Sequence, residues 1–195
     1  MRGTTILVAY YSSTGAVHRL AEAVVAGAER TGATVRLRRI PELAPTAAIA
    51  ANPAWAAHAA DTSHIDEVTL DDLRWADGVV LGTPAHFGLP ASQVGHFIEQ
   101  TRRLWDHEEL ANKAYASFAA TATGHGGAEA ATLALNNAFS HWGGVIVPPG
   151  VPAAGLPPAE HLGLRVAAVA AATAALRPRE RPPGPAPVTA AATAG

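Results

Sequence analysis

The sequence predicts an α/β fold, a doubly wound five-stranded parallel sheet of strand order 2-1-3-4-5. Three observations point to it. Short β-branched runs alternate with stretches of helical period, the signature of βαβ units. Five such runs joined by crossovers satisfy the right-handed connection rule when helices cover both faces. The 195 residues suit one domain of ordinary size, and no internal repeat is present.

Residues 4–10 (TTILVAY) form the first buried strand. Residues 16–30 follow as a helix, with Val17, Leu20, Ala21, Val24 and Ala28 on one face. The second strand is 34–40. Residues 41–65 contain Pro41, Pro45 and Pro53 without a clean period and are expected to be a long surface connection. Thr69 and Asp72 match a capping box opening a short helix. The third strand is 77–82. Pro90 suits the first turn of the next helix, whose buried face is Val94, Phe97, Ile98 and Thr101. The fourth strand is 114–121. A helix within 126–142 buries Leu135, Ala138, Phe139 and Trp142, 144–148 is the fifth strand, and 160–176 is the closing helix. The domain is expected to span 1–177. Residues 178–195, rich in Pro and Ala and without large apolar side chains, are expected to be a disordered tail.

Composition excludes several classes of function. A formal net charge of −2 with no basic face argues against nucleic acid. The run Arg36, Arg38, Arg39 reads as a solvated edge or a subunit contact. With no cysteine, disulfides, thiolate catalysis and iron–sulfur or zinc–thiolate sites are ruled out. The apolar run 6–11 is too short for a secretory leader and 166–176 too short for a bilayer span, so a cytoplasmic protein without a membrane contact is expected. Nine histidines are present but none stands in a metal-ligand pattern, so no metal is expected. Asp71 and Asp72 read as a solvated helix start, and Trp55, Trp75 and Trp142 as packing residues.

In sheets of this order ligands sit at the carboxyl ends of the strands, at the switch point between strands one and three. The loop after strand one reads Ser12-Ser13-Thr14-Gly15-Ala16-Val17. It joins a strand directly to a helix, so unpaired N–H groups face an incoming anion. Three hydroxyls flank them, and Gly15 permits a tight bend. No lysine is present, unlike a loop for nucleoside triphosphates, so a terminal phosphate held without metal fits best. The plain alternative is a helix cap. After strand three comes Gly82-Thr83-Pro84-Ala85-His86-Phe87-Gly88, and after strand four Thr121-Ala122-Thr123-Gly124-His125-Gly126-Gly127. Both loops bear glycine and little charge. Backbone groups there could grip the polar edge of a flat ring, with Phe87 beside it.

Five segments together resemble the WrbA-type, flavodoxin-like NAD(P)H:quinone oxidoreductases: YYSSTGAV, GTPAHFG, FIEQTRRLW, TATGHGGAE and HWGGVIVP. They occur in family order and cover about residues 4–151. The resemblance implies FMN as cofactor, NAD(P)H as co-substrate and a quinone-like acceptor. It also implies a homo-oligomer (dimer or tetramer) and no covalent catalytic residue. By position it puts phosphate contacts on Ser12, Ser13, Thr14, Gly15, Ala16 and Val17. Ring contacts fall on Ala85, His86 and Phe87 and on Ala120, Thr121, Ala122, Thr123, Gly124 and His125, with Pro84, Gly88 and Gly126 completing the two loops. His141 matches a further flavin contact and Trp105 an acceptor-side tryptophan. Residue by residue, Trp105 reads equally as a pocket lid or a buried helix end. The chain departs from the family at His86, where an arginine is usual, and at 151–158, where a long segment is missing.

Two other functions fit the same fold. A one-electron carrier would steer to its partners through a strongly acidic surface, and a net charge of −2 does not supply one. A flavin-free module is the other. Its phosphorylated-receiver version needs acidic residues where Tyr10, Tyr11, Thr83 and Pro84 stand.

Overall fold

The computed structural model describes residues 3–121, 126–152 and 154–177. Strand β1 (Thr5–Tyr10) is buried at every position and lies in the interior of the sheet. It pairs in parallel with β2 (Thr34–Arg39) on one side and β3 (Gly78–His86) on the other. β3 pairs in parallel with β5 (Ala114–Ala120), and β5 with the short β6 (Val145–Ile146). The order β2-β1-β3-β5-β6 is the expected 2-1-3-4-5. The added number comes from β4 (Leu89–Pro90), an antiparallel partner of the end of β3.

Helices cover both faces. Helix α1 (Ala16–Glu29) and helix α8 (Pro158–Ala172), which ends in a 3₁₀ turn over Ala174–Leu176, bury Ile6, Val8, Val80 and Ala116 with Val17, Val24 and Val166. Small residues set the spacing. A Cβ on Gly27 would run into the Glu160 carbonyl, and one on Gly163 into the Val24 carbonyl. α1 and α8 therefore touch backbone to backbone. The other face is aromatic. Helix α5 (Ser92–Gln100), helix α6 (Arg102–Asp106) and helix α7 (Ala128–His141) cover Leu7, Val79 and Leu81 with Phe97, Leu104, Tyr115, Phe139 and Trp142. The Tyr115 and Phe139 rings stack with centroids 5.0 Å apart. Burial pushes the Tyr115 hydroxyl up, and it donates to the Leu110 carbonyl. Lys113 is buried, and its ammonium is satisfied by the carbonyls of Leu73, Arg74 and Ala76.

The structure corrects five expectations. Residues 41–65 are not a bare connection: they carry helix α2 (Thr46–Ala50) and helix α3 (Pro53–Asp61). The prolines start these helices. Pro45 is the N-cap of α2, and Pro53 opens α3 behind Asn52, whose side chain accepts from the N–H groups of Ala54 and Trp55. β3 runs four residues beyond the expected 82, because Thr83 and Pro84 still pair with Ala119 and Ala120. Pro90 lies in β4 opposite Ala85, and α5 starts later, at Ser92. Asp72 is not solvated. The capping box of helix α4 (Leu70–Trp75) holds as read, but the Asp72 carboxylate is buried and pairs with Arg36 at 2.9 Å and Arg38 at 3.4 Å. Burial alone would raise its pKa. Hydrogen bonds from Thr69 and Arg36 and the charge of Arg38 outweigh burial and hold it below the ordinary value. Arg36 and Arg38 are therefore tied to α4, Arg36 also lying 4.0 Å from the Trp75 ring centre, while Arg39 donates to the Ile65 carbonyl ahead of that helix. Finally, β6 has two residues where five were expected. The tail 178–195 lies outside the described residues.

Candidate functional site

Three turns meet at the carboxyl ends of β1, β3 and β5. The first runs from Tyr11 to Gly15. The Tyr11 N–H donates to the Gly82 carbonyl at 3.0 Å, which extends the β1–β3 ladder by one bond and fixes where the turn starts. The Gly15 N–H donates to Ser12 Oγ at 3.0 Å. Gly15 then takes φ 95°, in the left-handed region, as the N-cap of α1, and no side chain caps the helix. The first intrahelical bond is Arg19 N–H to the Gly15 carbonyl. The N–H groups of Ala16, Val17 and His18 therefore lack acceptors within the helix. Ser12, Ser13, Thr14, Gly15, Ala16 and Val17 thus stand in one loop around an open helix start, with Ser12 Oγ already an acceptor inside the turn.

The second turn is the β3–β4 hairpin. His86 pairs with Leu89, so Phe87 and Gly88 form a two-residue turn with φ 54° and 78°. Positive φ at both positions is the primed-turn geometry of tight hairpins. Pro84 and Ala85 are partly buried and His86 is exposed. The Phe87 side chain projects fully into solvent, at 105% relative exposure. The hairpin is rooted at Thr83, which is fully buried. Its hydroxyl accepts from the Ala91 N–H at 3.0 Å and donates to the Pro84 carbonyl at 2.9 Å.

Only the flanks of the third turn are described: Ala120 and Thr121 before it, Gly126 and Gly127 after it. Ala122, Thr123, Gly124 and His125 lie outside the described residues. Gly127 N-caps α7 at φ 94°, again with no side-chain cap. A Cβ placed on it would lie 3.5 Å from the Gly88 backbone. The start of α7 therefore sits against the hairpin tip.

One hydrogen-bonded unit joins the first turn to the first turn of α5, just past the hairpin. Glu42 accepts from the Tyr11 hydroxyl at 2.8 Å and from the Gln93 amide at 2.7 Å, and from the N–H groups of Leu43 and Ala44. Burial pushes its carboxyl up, but the Ala44 N–H, the Gln93 amide, the Tyr11 hydroxyl and the Leu43 N–H together hold it below the ordinary value. Burial and the Glu42 carboxylate raise the Tyr11 hydroxyl.

Trp105 and His141 stand apart from the three turns. The Trp105 indole N–H donates to the His141 carbonyl at 2.7 Å, so these two residues are together. But α7 starts at the hairpin and ends at His141, and its 14 residues span roughly 20 Å. Within one chain His141 therefore sits at the far end of α7 from the cradle. Trp105 is half-exposed at 44% and covers the end of α7, closer to the helix-end reading than to a lid on these turns.

Sequence reasoning misses α3. His58 lies within reach of Gly15 and of His18, whose ring centroid is 5.5 Å from its own. Thr14, Gly15, His18, Arg19, His58 and Asp61 line an open cleft of about 380 Å³. The alanine-rich run from 54 to 60, behind the Asn52-Pro53 pair, is the one local signal for this helix. Among the described residues, no three His, Cys, Asp or Glu side chains gather as a metal site, and no helix is long and apolar enough to cross a membrane.

Comparison with known proteins agrees with this architecture. Residues 4–156 match the family described as NADPH-dependent FMN reductase. An NAD(P)H dehydrogenase (quinone) of Cupriavidus metallidurans is 41% identical over 142 residues, 73% of this chain and 69% of that protein. Its namesake in Deinococcus radiodurans is 34% identical over 145 residues, 74% of this chain and 72% of that protein. In three dimensions the chain is similar to a WrbA-like flavodoxin from Agrobacterium tumefaciens, with a TM-score of 0.64 and 24% identity over 88% of this chain and 99% of that one. It is also similar to an archaeal flavodoxin, with a TM-score of 0.61 and 18% identity over 86% and 99%. At these identities the structural matches establish the flavodoxin-like fold.

Proposed function

The chain belongs to the NADPH-dependent FMN reductase family, and from that premise we propose that it is an FMN-dependent NAD(P)H:quinone oxidoreductase. The observation that carries this reading is the uncapped turn at Gly15. A helix start with three N–H groups free of helical acceptors, ringed by hydroxyls and without a lysine, fits a terminal phosphate. The other two turns fit the ring. They are poor in charge, touch each other through Gly88 and Gly127, and expose an aromatic side chain at Phe87.

In this reading the loop Ser12, Ser13, Thr14, Gly15, Ala16 and Val17 holds the phosphate through the Ala16 and Val17 N–H groups and the Ser and Thr hydroxyls, while the Gly15 N–H, bonded to Ser12 Oγ, fixes the bend. Pro84, Ala85, His86, Phe87 and Gly88 support the ring from one side, and Ala120, Thr121, Gly126 and residues 122–125 from the other. Bound FMN supplies the redox chemistry, accepting a hydride from NAD(P)H and giving two electrons to a quinone. The chain's part is to bind, to orient and to keep one ring face open beside Phe87. The flavin-binding unit is taken as residues 1–177.

We place Trp105 and His141 at the flavin of a second copy, since within one chain they lie a helix length away. Leu89 on β4 and Leu133 on α7, both more than 60% exposed, support a homo-oligomer. The cysteine-free sequence supports the cytoplasm.

The test is spectroscopic. Purified protein plus FMN, freed of unbound flavin, should be yellow. Anaerobic NADPH or NADH should bleach it and benzoquinone should restore the colour. A protein that retains no FMN, or whose bound flavin neither nucleotide bleaches, overturns the proposal.

A further inference from the structure

Arg19 and His58 stand on opposite walls at the mouth of the Gly15 turn. A Cβ built on Gly15 would lie 3.4 Å from His58 Nδ1 and 3.5 Å from Arg19 Nη1. Neither side chain makes a hydrogen bond or ion pair with a described residue. Arg19 comes from the first turn of α1, where a phosphate would sit, and His58 reaches across from α3. Between them runs the cleft of about 380 Å³. Tyr10 is almost wholly buried with no partner for its hydroxyl. Its ring lies 5.1 Å from that of His18, whose Nδ1 is also buried without a partner. Two basic side chains without a hydrogen bond or ion pair thus flank an open helix start, with the unsatisfied Nδ1 of His18 in the ring beside His58.

Resting on the FMN reading above, we propose that Arg19 and His58 form a cationic clamp on the flavin's phosphate, selecting FMN over riboflavin and coupling FMN uptake to protonation of His58. One arm of the clamp, Arg19, comes from α1 and the other, His58, from α3 within the 41–65 segment.

The charges around His58 set the sign. Burial and the neighbouring His18 and Arg19 on α1 and Arg39 on β2 hold its pKa below the ordinary value, while Asp61 on its own helix opposes them. Tyr10 stays neutral, its hydroxyl pushed up to about 12 by burial. Glu22 faces His18 at 3.5 Å, and Glu42 is engaged by Tyr11 and Gln93. His58 is therefore mostly neutral in the free protein at neutral pH. A phosphate dianion placed beside it raises its pKa. Binding takes up a proton, so FMN affinity rises as pH falls from 8 toward 6. Below about pH 6 protonation of the phosphate itself works the other way.

The test is titration of the full-length apoprotein with FMN and with riboflavin, followed by flavin fluorescence between pH 6 and 8. For wild type, FMN should tighten with falling pH while riboflavin stays flat. R19Q should weaken FMN by about tenfold or more, the scale of a lost charge-assisted hydrogen bond. It should move riboflavin by less than about twofold, and R19K should recover most of the loss. H58Q should abolish the pH slope. Thermal unfolding of each apoprotein variant close to wild type shows that the effect is not misfolding. An FMN-to-riboflavin ratio unchanged in R19Q, a slope surviving in H58Q, or a loss confined to NADPH with FMN untouched overturns the clamp and leaves the FMN reading standing. Wild type that binds no FMN at any pH overturns both.

Discussion

The turn at Gly15 and the turn at Phe87–Gly88 both run through positive φ, yet they are built in opposite ways. The Gly15 turn is internally bonded and buried at its two ends, Tyr11 and Gly15: Gly15 donates to Ser12, Arg19 donates back to Gly15, and Tyr11 is tied to β3. Its left-handed position carries the residue that adopts it at no steric cost. The hairpin tip projects, and its first left-handed position carries phenylalanine, wholly exposed. An L-residue there costs roughly 1 kcal/mol, and burial returns nothing. At the first turn, then, the backbone is the functional element and the side chain has been deleted. At the second the side chain is the functional element, kept against the preference of its own backbone.

If the backbone of the first turn is the anchor, Gly15→Val should have the largest effect of any single change in the cradle. It forces a β-branched residue to φ 95°, and its branch atoms would enter the space beside His58 and Arg19. We expect FMN affinity to fall by at least about a hundredfold, since a lost set of phosphate hydrogen bonds to charged oxygen is worth about 3 kcal/mol. Fluorescence titration reads it. An affinity within threefold of wild type would mean that the turn is not the anchor, and the contrast between the two turns would have no basis.

Glu42 tests whether the Gly15 turn is tied to the start of α5, just past the hairpin. Its folded-state pKa is depressed. The stability it contributes is therefore complete above the ordinary glutamate value of about 4.3 and is lost as pH falls through the lower folded value. Glu42→Gln should cost about 1 kcal/mol at pH 7, a figure kept small because the group is only partly shielded from water. The gap from wild type should begin to narrow below about pH 4 and close as the pH passes below the folded value. Urea unfolding at pH 7 and pH 3.5 measures both limbs. A gap that stays constant with pH would assign the loss to packing rather than to the carboxylate, and the link from the Gly15 turn to α5 would be discarded.

The sheet and the phosphate turn are legible in the sequence because local signals and tertiary demands agree. The residues 4–10 form an apolar run with only one way to be buried, and Ser12 to Val17 must turn straight into a helix. Legibility fails where one residue type has two structural uses. Pro45 and Pro53 read as breaks but open helices. Pro90 reads as a helix start but pairs with Ala85 in a hairpin whose turn, Phe87-Gly88, lacks the Asn-Gly or Asp-Gly signal. Asp72 reads as solvated because nothing local shows that Arg36 and Arg38, more than thirty positions earlier, will arrive beside it. His58 escapes notice for the same reason: its neighbour Gly15 lies more than forty positions away. Trp105 and His141 read as members of one cradle, and only the length of α7 separates them from it.

The smallest effect is the most telling about the hairpin. Asn adopts positive φ far more readily than Phe and is favoured at the first position of a primed turn. On the fold alone Phe87→Asn should therefore stabilise the protein by about 0.5–1 kcal/mol, raising the melting temperature by about 1–4 °C for a chain of this size. On the functional reading it should also weaken the site, because the exposed ring beside the flavin is lost. We expect kcat/KM for quinone to fall severalfold while FMN affinity changes by less than threefold. Calorimetry and steady-state kinetics on the same preparation decide the matter. A variant more stable and equally active would show that Phe87 has no role beside the ring. One that is less stable would show that the Phe87 side chain is packed against something, so that its positive φ is sustained by contacts of the ring and not kept at a cost for function.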